Sequence, residues 1–162
     1  MTHVSAEAIT ARPGSAASSL AAGFDRLGAF SYPLVRLATG LLLVPHGAQK
    51  LFGLFGGYGI AATGAYFDTK LGLHPGVAFA ALAGFIEFFG GLAIALGLLT
   101  RLAALGVVAL MAVAVFAVHL GNGFFWTAGG FEYPLMWGLL ALAVLFRGGG
   151  RYSLDRRLGP PL

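Results

Sequence analysis

The chain has 162 residues, of which 58% are hydrophobic and 10% charged, and its mean hydropathy is +0.85. Soluble domains carry about a quarter charged residues, so this composition excludes an ordinary water-soluble globule. The absence of cysteine excludes disulfides, thiolate metal sites and iron–sulfur ligation by this chain, and the net charge of +4 lies in arginines beside apolar runs, a pattern of membrane orientation rather than of nucleic-acid binding.

Residues 1–30 lack the continuous apolar core of a signal peptide. They read as a flexible segment containing a short interfacial helix over roughly residues 18–30. Beyond them, four stretches approach the roughly 20 apolar residues that a bilayer crossing needs: about 33–52, 76–98, 102–120 and 131–147. Pro33, Pro75 and Pro134 stand at or just before the first turns, where a missing N–H costs nothing. Gly53, Gly121 and Gly148 follow the expected ends. Only Leu99, Thr100 and Arg101 join the second and third spans, which makes those spans an antiparallel hairpin. The expected fold is an all-α membrane protein: an antiparallel four-transmembrane-helix bundle over residues 31–148, then a basic tail over 149–162.

Orientation follows from the basic residues in short flanks and loops. With both termini cytoplasmic, Arg12, Arg26, Arg101, Arg147, Arg151, Arg156 and Arg157 face inward and Lys70 faces outward. A multi-pass protein of the inner (cytoplasmic) membrane is the expected result. The outer loops are then residues 53–75, "GLFGGYGIAATGAYFDTKLGLHP", and 120–131, "LGNGFFWTAGGF", both glycine-rich, aromatic and poor in charge. Two readings fit them: a belt of interfacial aromatics (Tyr58, Tyr66, Phe124, Phe125, Trp126), or a lid over an apolar cavity.

Ionisable residues inside the spans carry the functional signal, since each costs at least about 2.5 kcal/mol near a helix centre unless paired. Arg36, near the inner end of the first span, reads as snorkelling to headgroups. Glu87, in the middle of "ALAGFIEFFGGLAIALG", is about 16 Å from either surface at about 1.5 Å per residue, too deep to snorkel. Its helical neighbours Ala83, Gly84, Gly90 and Gly91 are small, which turns it toward a close helix contact. Side chains lean toward the N-terminus of their own helix. His46 and Lys50 on the outward-running first span therefore lean toward the midplane, and Glu87 on the inward-running second span leans up to meet them. Pro45 removes a helix hydrogen bond beside His46 and frees the Leu41 carbonyl, so a kink is expected there. His119 and Glu132 sit near the same level. His46, Lys50, Glu87, His119 and Glu132 are accordingly the candidate ligand-binding residues, with Glu87 a candidate for proton exchange. The competing readings are a register-fixing salt-bridge network for the first three and a complement to a helix N-terminus for Glu132.

The segments "RLATGLLLVPHGAQKLFG", "GFIEFFGGLAIALGLLTRLAAL", "AVHLGNGFFW", "GGFEYPLM" and "GGGRYSLDRRL" together resemble the DoxX family of small four-helix membrane proteins, from roughly Tyr32 to Leu158. On that pattern Arg36, His46, Gly47, Lys50, Glu87, Arg101, His119, Glu132, Ser153 and Asp155 match. The resemblance implies a place among membrane-bound oxidoreductases. Relatives are described as subunits of a thiosulfate:quinone oxidoreductase of a thermophilic archaeon, and a mycobacterial member as a scaffold joining redox enzymes.

Two functions follow as expectations. In the first, the chain is a quinone-interacting subunit of a redox complex, acting with a partner oxidoreductase that supplies electrons. A histidine would hydrogen-bond a quinone carbonyl and Glu87 would exchange protons. In the second, it is a non-catalytic membrane scaffold or assembly protein whose basic tail contacts anionic lipid or an acidic partner. A small-solute transporter is a weaker third reading that requires a homo-oligomer. Haem is disfavoured because both candidate histidines lie near the outer end, and no nucleic acid is expected.

Overall fold

In the computed structural model, which describes residues 15–159, every regular element among the described residues is helical. Residues 1–14, read above as flexible, lie outside the described residues. Three helices are long and apolar enough to cross a bilayer: Ser19–Phe52, Gly76–Leu96 and Thr100–Asn122. The chain divides into two units that meet between Tyr32 and Pro33, and everything that builds the site lies in the second.

The first long helix departs from expectation at its start. α1 (Ser15–Leu41) carries Pro33 in its interior rather than at a first turn, a placement that membrane helices tolerate. The break comes instead at Leu42 and Leu43, where Leu43 N–H tightens onto the Gly40 carbonyl at 3.1 Å. α2 (Val44–Phe52) then begins with Pro45 in its first turn. Proline has no N–H for the Leu41 carbonyl, so the ladder lapses at the expected kink. Gly53, at φ 68°, ends α2.

Residues 53–75 are not merely a loop. They contain a 13-residue helix, α3 (Gly59–Leu71), packed on α2 and α4. Its glycines serve close packing: a Cβ on Gly64 would lie 2.7 Å from a methyl of Val77. Asp68 Oδ1 accepts from the Gly76 N–H at 2.7 Å and lies 2.8 Å from His74 Nδ1, so it caps the next helix.

That helix is continuous but irregular: α4 (Gly76–Phe85), a five-residue π turn (Ile86–Gly90) and α5 (Gly91–Leu96). After a tight turn, α6 (Thr100–Val113) runs into a second π turn (Ala114–His119) and a 3-10 turn (Leu120–Asn122). Gly123, not Gly121, terminates it with a positive φ of 78°. α7 (Glu132–Arg147) has 16 residues, about 24 Å at about 1.5 Å each, and packs along α6. Buried Leu43, Ile94, Val107, Met111, Ala141 and Val144 form the core that joins these helices. Leu102, Phe116, Leu139 and Phe146 stay exposed, as lipid-facing side chains do.

The tail and Arg36 differ most from the sequence reading. Arg36 does not snorkel. It is 4% exposed and donates to the carbonyls of Gly149, Tyr152 (2.7 Å) and Ala95 (3.3 Å). Ser153 caps α8 (Leu154–Leu158) by accepting the Arg156 N–H at 3.3 Å. Asp155 accepts from Leu99 N–H (2.6 Å), Thr100 N–H (3.0 Å) and Thr100 Oγ1–H (2.5 Å). The tail is therefore latched over the α5–α6 turn, because its backbone carbonyls and one carboxylate satisfy a buried guanidinium and a helix N-terminus. Arg151, Arg156 and Arg157 remain exposed.

Candidate functional site

His46 and Lys50 are four residues apart on α2, hence on one face, one turn apart. Glu87 lies in the π turn between α4 and α5 and is 6% exposed. The two helices meet through glycines. A Cβ on Gly47 would lie 2.7 Å from the Gly84 carbonyl oxygen, and one on Gly84 2.7 Å from Leu51. This proximity lets Lys50 Nζ donate to Glu87 Oε2 at 2.6 Å. The charge-assisted bond offsets part of the cost of burying the carboxylate.

The pair forms part of the wall of a cavity of about 360 Å³. His46, Lys50, Glu87 and His119 all line it. His46 makes no hydrogen bond among the described residues, so both of its ring nitrogens are available to a ligand. His119 is anchored: its Nδ1 lies 2.6 Å from the Gly129 carbonyl. A carbonyl only accepts, so Nδ1 carries the proton and Nε2 is left for the cavity. Both π turns border this cavity, one through Glu87 and the other through Ala114, Val118 and His119. Single π turns inside α-helices occur frequently at functional sites.

Glu132 is placed elsewhere. It does not line the cavity, and its Oε2 accepts the Trp126 N–H at 3.1 Å, tying down the 120–131 loop at the entry of α7. Arg36 and Asp155 belong to the tail latch, Pro45 to the kink, and Arg101 reaches the Phe146 carbonyl at 3.5 Å. The apolar wall includes residues that sequence reasoning did not single out for a site: Phe67, Met111 and Trp137, together with Tyr66, which it read as interfacial. Part of this signal was present. Tyr133 and Trp137 are four apart on α7, as are Ala114 and Val118 beyond α6, so each pair shares a face. Phe67 could not be read without knowing that residues 59–71 fold as a helix that contributes to the cavity wall.

Mainly apolar walls with a few polar groups among them, His46, Lys50, Glu87 and His119, are the make-up of a small-molecule site. Comparison with known proteins bears on the class: the family model for DoxX matches residues 32–120. The chain belongs to the DoxX family. This DoxX chain is 33% identical over 157 residues to an uncharacterized membrane protein of Mycobacterium tuberculosis, covering 90% of the chain and 91% of the relative. It is 42% identical over 79 residues to an uncharacterized protein of Haemophilus influenzae, covering 47% of the chain and 59% of that protein's length. No solved structure matches the DoxX chain.

Proposed function

We propose that this DoxX protein is a quinone-interacting membrane subunit of a redox complex. In this reading α7 completes a four-helix transmembrane bundle in the inner membrane, both termini are cytoplasmic, and the cavity opens in the outer half. The observation that carries the proposal is the Lys50–Glu87 pair in the wall of an otherwise apolar cavity that His46 and His119 also line. A purely register-fixing pair needs no cavity and no unpartnered imidazole beside it. His46, or Nε2 of His119, would hydrogen-bond a quinone carbonyl, while Tyr66, Phe67 and Trp137 would flank the ring. Glu87 would exchange the proton, and a partner oxidoreductase would supply the electrons.

The test is purification in mild detergent followed by solvent extraction. The wild type is expected to carry quinone, and Glu87→Gln, which keeps an acceptor for Lys50, is expected to lose it while inserting and folding normally. Wild-type protein that neither retains added quinone nor protects it from reductant would remove the reading. Reporter fusions at each end test the orientation, with both expected to read cytoplasmic. The exposed Arg151, Arg156 and Arg157 on a tail held in place favour a second reading, a scaffold for an acidic partner. On that reading a redox enzyme should co-purify with the protein, and His46→Ala should leave its recovery unchanged.

A further inference from the structure

A second cavity, of about 560 Å³, also borders Lys50. It is lined by Gln49, Tyr58 and Thr63 and by the glycine backbone of residues 56–57, and it shares Lys50, Tyr66 and Phe67 with the first cavity. Neither His46, His119 nor Glu87 borders it. Its polar groups are the Gln49 amide, the Tyr58 and Tyr66 phenols, the Thr63 hydroxyl and the shared Lys50 ammonium, so it offers hydrogen-bonding groups on several sides but no carboxylate or imidazole. The wall is held in place: Gln49 Nε2 donates to the Phe55 carbonyl at 3.2 Å, and a Cβ on Gly57 would lie 2.5 Å from backbone and side-chain atoms of Gln49. The Lys50 side chain is 25% exposed and that of Glu87 8%, so of the bonded pair Lys50 is the more accessible residue.

The geometry points to the second cavity as an aqueous port for the site, with Lys50, which borders both cavities and bonds Glu87, as the bridge. This deepens the quinone reading, since it names the route by which protons reach the carboxylate without passing the ligand. In the uptake direction the Nζ–H bond facing Glu87 breaks and an Oε2–H bond forms. A neutral amine and a neutral carboxyl result. The amine lone pair then takes a proton from hydronium in the second cavity, and no electron moves. Three donors on one ammonium let Lys50 hold Glu87 and still reach the port. Tyr66 and Phe67, which face both cavities, form the partition that keeps a lipid-soluble ligand on one side.

Lys50 and Lys70 are the chain's two lysines, and Lys70 is exposed, so each sample carries its own reference. Reductive methylation of the intact, detergent-solubilised protein with formaldehyde and cyanoborohydride, read by peptide mass spectrometry, measures access to Lys50 relative to Lys70. Lys50 is expected to be labelled in the wild type. Thr63→Trp or Ala62→Trp, which fill the second cavity, should each lower the Lys50:Lys70 ratio by roughly tenfold, because close-packed protein excludes reagent. Val118→Trp, which fills the first cavity, should leave the ratio within about twofold on the same reasoning. The two port-filling variants provide a reserve if one fails to fold. Protection of Lys50 in the wild type, or loss of labelling on filling the first cavity, would overturn the port. No quinone enters this experiment, so failure of the port and failure of quinone binding are read separately.

Discussion

Lys50 and Glu87 depend on each other unequally. Removing the ammonium strands a carboxylate with 8% of its side chain exposed, whereas removing the carboxylate leaves an ammonium that is 25% exposed and can turn to solvent. Lys50→Met is therefore expected to cost about 3 kcal/mol, at the lower end for a broken buried pair because of that partial exposure. Glu87→Leu should cost less. The double variant should recover about 1–3 kcal/mol relative to the sum. Thermal unfolding of the four proteins in detergent measures the cycle, and additive losses would show that the pair is not coupled. Glu87 was legible in the sequence because mid-span depth and small neighbours are local properties. Its partner was narrower than the local pattern implied: His46 and Lys50 both lean toward Glu87, yet only Lys50 bonds it.

At the scale of the helix, glycine has two opposite roles in this chain. Gly23, inside α1, has nothing within 4 Å of an added Cβ, so Gly23→Ala should stabilise by about 0.5–1 kcal/mol through helix propensity. Gly47 faces Gly84 and Phe88, and Gly47→Ala should destabilise by about 1–3 kcal/mol by forcing α2 off the π turn. Parallel melting curves check both, and equal signs would refute the close approach. The glycine-rich 53–75 stretch shows why composition misleads here. Gly64 resembles a loop residue in sequence, but it is buried where α3 lies on Val77. The kink at Pro45 was readable because proline's missing N–H acts on its own helix. The interior position of Pro33 was not, because the helix continues upstream on apolar residues that resemble a surface segment.

Across the whole molecule, the tail latch closes the end of the fold around the α5–α6 turn. Asp155→Ala removes three accepted hydrogen bonds from buried or half-buried donors and should cost about 2–3 kcal/mol, since an abandoned buried donor keeps its desolvation penalty. The same variant should expose the tail to trypsin at Arg151, Arg156 and Arg157, where the wild type resists. Equal digestion rates would show that the latch does not hold. Arg36→Lys should behave similarly, because a single ammonium cannot match the planar fork that spans three carbonyls.

The sequence by itself determined the membrane class, the DoxX family and the long apolar helices. These follow from local apolar runs, breakers and rise per residue, and they need no knowledge of neighbours. Tertiary structure alone decided which groups meet. Lys50 and Glu87 are 37 positions apart, Thr100 and Asp155 are 55, and Arg36 and Tyr152 are 116. In an apolar medium each such group must find a partner, but periodicity says only which face it occupies. The choice of partner depends on how closely glycine-lined helices approach and on where a tail folds back, and those are properties of packing.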